Sequence, residues 1–347
     1  MNLLIRADSD AKMGTGHVMR SLALAQAWQD DERRVIFAMA AESPLLENRL
    51  QSEGLEVIHL SAWPGTPEDA IQTADLARRM DASWIVVDGY HFNSSYQRQI
   101  KEVGHRLLAI DDMAHLDHYY ADIVLNQNIN AEWLQYFCEP YSRLLLGTRY
   151  VLLRSEFLDW RGWQREIPKV AYKVLVTLGG SDLDNVTLKV IRALNKVNIR
   201  GLEVKLIVGA SNPHLESLKN AILSAPCSMH ILKNVENIAD LMAWADIAVS
   251  AGGITCWELV FMGMPSVLVA IAKNQAFNTS ELQAIRAALT STNANGTPMD
   301  DFVRLIGSLI LDPELRREMS GKARSLVDGM GAKRVVEAIE TLDNGEK

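Results

Sequence analysis

The sequence has few cysteines, no long apolar run and no block of basic charge, and each absence excludes a class of protein. Its 347 residues include three cysteines, Cys138, Cys227 and Cys256, and no two of them form a CxxC pair. This spacing predicts neither a disulfide framework nor a zinc site. No stretch approaches the roughly 18 apolar residues that a membrane-spanning helix needs. We therefore expect no membrane span.

The charge balance argues against a nucleic-acid partner. With 35 Lys and Arg against 43 Asp and Glu, the net charge is -8, and the basic residues form no cluster. Any phosphate must then be held locally, by backbone N–H groups and helix ends. The opening residues MNLLIRADSD lack the basic and apolar regions of a secretion signal. We expect a cytoplasmic protein, monomeric by default, that binds a small molecule.

Apolar, β-rich runs alternate with helical patterns along the chain. The runs of the first half are residues 3–7, 35–40, 84–88, 107–111 and 123–126. The rhythm restarts after the charged, tryptophan-containing residues 156–169, with runs at 173–180, 204–210, 230–234, 246–253 and 266–271. This alternation is typical of βαβ units in a parallel sheet, and its restart predicts two α/β domains.

The predicted boundaries follow from that restart. They are an N-terminal domain over 1–155, a linker over 156–170, a C-terminal domain over 171–325 and a C-terminal helix over 326–347. In an open α/β sheet, ligands bind beyond the carboxyl ends of the strands, where helix N-termini present free N–H groups. The residues that follow each strand are therefore the candidate site residues.

The first candidate is His17 in the stretch MGTGHVMR (13–20). Gly14 and Gly16 would let the backbone approach a ligand, and His17 would lie where a helix begins. The positive end of that helix is expected to lower the imidazole pKa and favour the neutral form that a general base needs. An incidental histidine in a helix-starting turn is the alternative.

Two glycine turns in the second half, LGGSDLDN (178–185) and VSAGGITCWELV (249–260), favour a nucleotide ligand. In the first, Gly180 and Ser181 follow a strand. In the second, the amides of Gly252 and Gly253 could hold a phosphate without any lysine, and Glu258 could accept hydrogen bonds from a ribose diol. Alternatively, the glycines only turn a strand into a helix and Glu258 is solvated.

Polar side chains follow two other strands. Tyr90 lies in DGYH (88–91), and Asn274 and Gln275 lie in AKNQAFN (272–278). Both segments are expected at the same sheet edge as the glycine turns, although such residues are most often turn formers. The segment DDMAHLDH (111–118) resembles a metal site in composition, but its spacing fixes no ligand set, and we predict neither a metal nor a cofactor.

In these motifs the chain resembles the PseG family, the UDP-sugar hydrolases of pseudaminic acid biosynthesis, also labelled flagellin-modification or spore-coat polysaccharide proteins. Those enzymes are similar to the glycosyltransferase that makes lipid II from UDP-N-acetylglucosamine. The resemblance lies in IRADSDAKMGTGHVMRSLALA, DGYH, IDDMAHLDHYYADIVLNQN, LLLGTRYVLLRSEF, LGGSDLDN, VENIADLMAWADIAVSAGGITCWELVFMGMP and KNQAFN, which run in order from residue 5 to about 278.

The resemblance implies a GT-B fold, with two Rossmann-like lobes facing each other across a central cleft and the last helix crossing back to the first lobe. It implies hydrolysis of UDP-2,4-diacetamido-2,4,6-trideoxy-β-L-altropyranose, with His17 as base and Tyr90 and Asn274 on the sugar side. The residues implied on the UDP side are Gly252, Gly253, Glu258 and the backbone around Val235.

The chemistry of a UDP-sugar agrees with a single base. Ordinary glycosidases use an acid and a base because an alkoxide is a poor leaving group, whereas UDP is already a stabilised anion. His17 acting on water would then suffice, with inversion at C1 and no metal. Two alternatives remain: a UDP-sugar-dependent glycosyltransferase with the same base, or a non-catalytic nucleotide-sugar-binding protein. Only Met13, Val18 and Met19 could offer a lipid acceptor an apolar patch near Gly14.

Overall fold

The computed structural model describes residues 2–9, 14–29, 33–197, 199–209, 212–291 and 296–345. The chain divides into two compact units, which we call the N-terminal domain (1–155 with 330–347) and the C-terminal domain (156–329). No helix in these described ranges combines the length and the apolar character that crossing a lipid bilayer requires.

The N-terminal domain is built on a seven-stranded parallel sheet. Its strands are β1 (Asn2–Ala7), β2 (Val35–Met39), β3 (Glu56–His59), β4 (Ala82–Asp88), β5 (Arg106–Ile110), β6 (Ile123–Asn126) and β7 (Arg143–Leu146). Its first helices are α1 (Gly16–Trp28), α2 (Pro44–Ser52), α3 (Pro67–Arg79) and α4 (Ser94–Glu102). The strand order is β3-β2-β1-β4-β5-β6-β7. The order reverses between β1 and β4, which makes their carboxyl ends the expected ligand position.

The C-terminal domain repeats this plan with six parallel strands. They are β8 (Lys173–Thr177), β9 (Glu203–Ile207), β10 (Ser228–Leu232), β11 (Ile247–Ala251), β12 (Ser266–Val269) and β13 (Leu289–Ser291), in the order β10-β9-β8-β11-β12-β13. The helices are α5 (Ser155–Leu158), α6 (Val186–Val197), α7 (Leu215–Leu223), α8 (Ile238–Trp244), α9 (Thr255–Phe261), α10 (Lys273–Ala284), α11 (Met299–Leu311) and α12 (Pro313–Arg324). Both domains have Rossmann-like topology, so the predicted fold class is confirmed.

The last helix, α13 (Gly331–Asp343), packs in the N-terminal domain. Val335 and Ile339 share a buried core cluster with Leu22 of α1. The indole N–H of Trp84 donates to Asp343 Oδ1 at 2.9 Å. A Cβ at Gly331 would lie 2.1 Å from the carbonyl oxygen of Val151, so only glycine allows this approach.

Successive residues of a strand point to opposite faces of the sheet, and both faces of the N-terminal sheet are buried. Leu3 and Ile5 of β1 pack in the cluster that contains α1 and α13, whereas Leu4 packs in the cluster that contains α3 and α4. Such strands read as continuous apolar runs, which explains why β1 was predictable.

Three strands were not predicted from sequence: β3, β7 and β13. All three lie at sheet edges. An edge strand has one neighbour and needs less apolar surface, and in β7 both Arg143 and Leu144 are exposed. The expected linker, residues 156–170, contains most of α5, and its Phe157 is fully buried.

Candidate functional site

His17 lies in the first turn of α1, directly beyond the end of β1. The backbone turns at Gly14 with φ of +73°, a conformation that favours glycine. Ser9 Oγ donates to the Gly14 carbonyl at 2.8 Å and ties the turn to the end of the strand. Gly16 begins the helix. Residue 13, the first of the expected apolar patch, lies outside the described residues, and Val18 is fully buried.

A buried carboxylate faces His17. Asp88, the last residue of β4, is fully buried, and its Oδ1 lies 3.1 Å from His17 Nδ1. The parallel register aligns Ala7 of β1 with Asp88, so the residues that follow β1 start beside this carboxylate. An Asp that accepts Nδ1–H fixes the tautomer and leaves Nε2 as the free basic nitrogen. The His17 side chain remains 12% exposed, so the ring is not fully enclosed by the protein.

Asp88 is also held by an arginine from the same helix as His17. Arg20 Nε and Nη2 each lie 2.6 Å from the Asp88 carboxylate, and Arg20 Nη1 donates to Asp112 at 2.7 Å. Ser21 Oγ donates to Asp88 at 3.2 Å. One guanidinium thus bridges two carboxylates, and a two-point contact of this kind holds a carboxylate in a defined orientation.

The expected direction of the His17 pKa was wrong. Burial does lower the pKa, but the negative charge of Asp88 and the hydrogen bond to it outweigh burial, so the pKa of His17 is raised from its usual 6.5. A helix end contributes a fraction of an elementary charge, whereas Asp88 contributes a full charge in a buried setting. His17 is therefore a stronger base than free histidine.

Tyr90 packs directly against His17. The two rings meet edge to face, with their centroids 5.0 Å apart. The Tyr90 hydroxyl donates to Asp112 Oδ2 at 2.7 Å. Asp112 is held further by Asn128, whose amide nitrogen lies 3.1 Å from Asp112 Oδ1. The structure thus joins His17, Asp88, Arg20, Asp112 and Tyr90 into one connected group, which we call the His17 cluster.

Sequence reasoning selected only two members of this cluster, His17 and Tyr90. Asp88 lies in the motif DGYH and Asp112 in DDMAHLDH, yet neither is among the predicted site residues. A signal for Asp88 did exist, because an aspartate that ends an apolar strand is unusual unless it is paired. Nothing in the sequence pattern indicates Arg20 as its partner.

The segment 111–118 uses its polar groups for hydrogen bonds within the protein. Asp111 Oδ1 lies 2.8 Å from His115 Nδ1, and His118 Nε2 lies 3.1 Å from Glu139. Asp117 accepts a short hydrogen bond from Ser94. Within the described ranges, no group of three or more His, Cys, Asp or Glu side chains is arranged to hold a metal ion.

A second buried charged group lies at the end of β1. Arg6 donates to both oxygens of Asp69 at 2.9 Å and contacts Asp8 at 2.6 Å, and all three side chains are fully buried. Asp8 also accepts the backbone N–H of Ala40 at 2.7 Å. Burial alone would raise the pKa of Asp8, but the hydrogen bond from His91 and the charge of Arg6 lower it to about 2.

In the C-terminal domain the second glycine turn follows β11, beside β8, where the strand order reverses. The N–H of Gly252 donates to the Val269 carbonyl at 3.0 Å, so this amide extends the sheet. The Gly252 N–H is therefore already used by the sheet, contrary to the expectation that it is available to a phosphate. A Cβ at Gly252 would lie 2.2 Å from Thr279 Cγ2, whereas one at Gly253 would meet only the flexible Gln275 amide, at 3.3 Å.

Replacing Gly252 with alanine should destabilise the C-terminal domain by about 1–3 kcal/mol, because the added methyl overlaps a methyl of α10. Thermal unfolding would measure the loss. Gly253→Ala is the matched control and should change stability less. Thr279→Ser removes the opposing methyl and keeps the hydroxyl, so the double variant should regain most of the loss. Equal effects of both glycine changes would contradict this packing role.

The first glycine turn, after β8, is also closely packed. A Cβ at Gly209, after β9, would lie 2.0 Å from the carbonyl oxygen of Gly180, so position 209 needs glycine. Ser181 is partly exposed. The buried Asp182 that follows accepts hydrogen bonds from Val186 N and Thr187 N, at 2.8 and 2.9 Å, and so caps α6.

The remaining candidates of the C-terminal domain differ in exposure. Glu258 on α9 is only 5% exposed, which rejects the alternative of a solvated side chain. Gln275 Oε1 accepts the N–H of Ile271 at 3.0 Å, so this amide braces the start of α10. Asn274, in the first turn of α10, is partly exposed, and so is Val235, in the loop between β10 and α8.

Known proteins resemble this chain over part or most of its length. Residues 174–337 match the glycosyltransferase family 28 C-terminal domain. An uncharacterized protein of Methanocaldococcus jannaschii is 26% identical over 78% of this chain, and the match covers 55% of that protein. The spore coat polysaccharide biosynthesis protein SpsG of Bacillus subtilis is 23% identical over 99% of this chain and 98% of its own length.

A further relative carries an enzyme name. The UDP-2,4-diacetamido-2,4,6-trideoxy-β-L-altropyranose hydrolase of Campylobacter jejuni is 26% identical over 79% of this chain and 93% of its own length. Among solved structures, MurG of Acinetobacter baumannii has a TM-score of 0.67 at 16% identity, covering 98% of this chain and 99% of that one. The chain therefore has the fold of GT-B glycosyltransferases and distant relatives that include a nucleotide-sugar hydrolase.

Proposed function

We propose that the protein hydrolyses UDP-2,4-diacetamido-2,4,6-trideoxy-β-L-altropyranose to UDP and 2,4-diacetamido-2,4,6-trideoxy-L-altrose, a step of pseudaminic acid biosynthesis. The observation that carries the proposal is the contact between His17 and the buried Asp88 at the reversal of strand order. A histidine oriented by a carboxylate is suited to accept a proton from water. The Campylobacter jejuni relative with the same reaction in its name supports the choice of substrate.

In this reaction the water oxygen attacks C1 of the sugar and the C1–O bond to the β-phosphate breaks. The water proton passes to His17 Nε2, and the electron pair of the broken bond leaves with UDP. Asp88 stabilises the imidazolium that forms, as its contact with Nδ1 allows. Because UDP leaves as a stabilised anion, no protein acid is required, and a single displacement inverts the configuration at C1.

The other candidate residues take roles around this step. We assign Tyr90, Asn274 and Gln275 to the sugar, with Gly14 and Gly16 leaving room for it. We assign the nucleotide to partly exposed residues of the C-terminal domain, namely the backbones of Gly180, Ser181, Val235 and Gly253, with Glu258 near the ribose. Gly252 contributes by close packing, because its N–H already serves the sheet.

The proposal predicts an unusual pH dependence for kcat/KM. The base must be neutral, and the pKa of His17 is raised, so activity should rise as pH passes through a value above 6.5 and then level off. Asp88→Asn removes the charge that raises this pKa, so the rising limb should move to lower pH. The plateau should also fall by about 10²–10⁴-fold, because the histidine loses its orienting acceptor. Initial rates of UDP release between pH 5 and 9 would measure both effects.

Ser21→Ala serves as the control, since it removes a weaker contact to the same carboxylate at 3.2 Å and leaves the charge in place. Its rising limb should coincide with that of the unaltered protein. A limb that stays in place when Asp88 is neutralised would contradict the role of this pair.

A second candidate, a UDP-sugar-dependent glycosyltransferase, is favoured by the family 28 match and by the likeness to MurG. The same base could deprotonate an acceptor hydroxyl instead of water. A non-catalytic sugar-nucleotide binder would share the nucleotide site and be indifferent to His17.

Proton NMR of the protein mixed with the proposed substrate, in buffer that contains EDTA, would distinguish these three functions. UDP and a free sugar of inverted configuration, formed without an acceptor, would support hydrolysis. Consumption that starts only when an acceptor is added would support the transferase. Binding without consumption under any of these conditions would support the binder.

A further inference from the structure

Asp112, which follows β5, contacts the hydroxyl end of the Tyr90 side chain. Its Oδ2 accepts the Tyr90 hydroxyl proton at 2.7 Å, a distance typical of a hydrogen bond from a hydroxyl to a carboxylate. The ring of the same tyrosine meets His17 edge to face, with 5.0 Å between the ring centroids. Because both contacts are made by one rigid side chain, the place of the hydroxyl and the place of the ring on His17 are set together.

The protein core does not hold Tyr90 in place. The residue is 38% exposed, in the loop between β4 and α4. Its ring contacts are edge to face, with His17 at 5.0 Å and with His115 at 5.8 Å. A hydrogen bond to a carboxylate is stronger than such a ring contact. The bond to Asp112 is therefore the main described restraint on the orientation of this side chain.

Asp112 is itself held by groups other than Tyr90. Arg20 Nη1 donates to its Oδ1 at 2.7 Å. The side-chain amide of Asn128 donates to the same oxygen at 3.1 Å and to the backbone carbonyl of Asp112 at 3.2 Å. The Asp112 side chain is only 10% exposed. Asp112 is thus an anchored acceptor, and the Tyr90 hydroxyl is the group that it holds.

Arg20 connects this anchor to the base. Its guanidinium makes a two-point contact with Asp88, which faces His17, and donates to Asp112, which holds Tyr90. A guanidinium is planar and rigid, so the two carboxylates are fixed relative to each other. The base and the tyrosine on the proposed sugar side are therefore positioned by one connected set of hydrogen bonds.

We propose that Asp112 is a positioning residue, which holds the Tyr90 hydroxyl so that the Tyr90 ring stays packed on His17. Asp112 acts through Tyr90 and not on the water or the sugar. The inference rests on the proposed function for its effect on turnover, because that effect requires His17 and Tyr90 to serve the reaction.

Two substitutions of Asp112 separate this contact from the charge of the carboxylate. Asp112→Asn removes the charge but keeps an oxygen for Arg20 and an amide group that can donate to the Tyr90 hydroxyl. Asp112→Ala removes both the charge and the contact. We expect Asp112→Ala to lower kcat/KM roughly ten- to hundredfold and Asp112→Asn by only about threefold. Both rates are measured on the pH-independent plateau, so that a shift of the rising limb does not enter the comparison.

The difference between the two variants should vanish when the tyrosine hydroxyl is removed. Tyr90→Phe keeps the ring but has no group to donate to position 112. In this background Asp112→Asn and Asp112→Ala should therefore have equal kcat/KM. Thermal unfolding of each variant shows whether it is folded. Activity of Asp112→Ala equal to or above that of Asp112→Asn, or a difference that persists in the Tyr90→Phe background, would overturn the proposal.

A second readout does not need turnover. The Tyr90 ring shifts the NMR signal of the His17 Cε1–H group, which can be assigned by its absence in His17→Ala. Tyr90→Leu gives the position of this signal without the ring. We expect the signal to move toward that position in Asp112→Ala and in Tyr90→Phe, and to stay near its original place in Asp112→Asn. The signal of His59, an exposed histidine paired with Glu47, is the internal control and should not move.

Tyr90→Phe breaks the same hydrogen bond without altering Asp112, so it tests the proposal also where Asp112→Ala does not fold. If the unaltered protein releases no UDP from the sugar nucleotide, the proposed function fails, yet the His17 signal still decides the role of Asp112. A His17 signal that stays in place in Tyr90→Phe would show that the ring needs no support from Asp112.

Discussion

Replacing His17 with alanine is expected to lower the turnover of UDP-sugar hydrolysis by about 10²–10⁴-fold, the contribution typical of a positioned general base. His17 is the member of its cluster that combines a basic ring with a raised pKa and an orienting carboxylate. Without it, water must be deprotonated by solvent. Initial rates of UDP release at saturating substrate would measure the loss.

Two controls make this result specific. Binding of UDP should stay within about twofold, because we assign the nucleotide to groups of the C-terminal domain and His17 to the water and the sugar. His59→Ala alters an exposed histidine paired with Glu47 and should retain full activity. A folded His17→Ala protein with unaltered turnover would show that His17 is not the base of this reaction.

Replacing Arg6 with methionine is expected to destabilise the N-terminal domain by about 3–5 kcal/mol, because it leaves Asp8 and Asp69 buried without their cation. Methionine keeps much of the side-chain volume, so the loss of charge dominates the effect. Hydrogen exchange of peptides from β1 and β4 reports the opening of this domain separately from the other.

The matched control is Arg98→Met on α4, where the ion pair with Glu102 is 62% and 59% exposed. Solvent screens this pair, so its loss should cost at most about 0.5 kcal/mol. Similar effects of the two arginine changes would show that burial does not govern the strength of the Arg6 contacts.

The fold could be predicted largely because the strands of a parallel sheet have a recognisable sequence pattern. Their inner strands are buried on both faces and read as apolar runs, as in β1, β4 and β11. The edge strands β3, β7 and β13 were not predicted, because an edge strand needs fewer apolar residues. The rule that ligands meet strand ends also selected the loop of Tyr90, which does contact His17.

The electrostatics of the site could not be predicted in the same way. The helix end next to His17 is visible in the sequence and indicates a lowered pKa, but the direction is reversed by Asp88 at 3.1 Å. Similarly, the sequence predicts that the Gly252 amide binds phosphate. In the structure its N–H donates to the Val269 carbonyl and its α-carbon packs against Thr279.

The sequence by itself determined the two Rossmann-like domains, the turns at the ends of their strands and the choice of His17 as a candidate. These are local properties, set by hydrophobic periodicity and by the conformational freedom of glycine. Only the tertiary structure decided which carboxylate faces His17, which aromatic ring packs against it and which glycine N–H the sheet uses. Those contacts join residues far apart in the chain, and their energies depend on burial and on distances of a few ångströms, which no local pattern encodes.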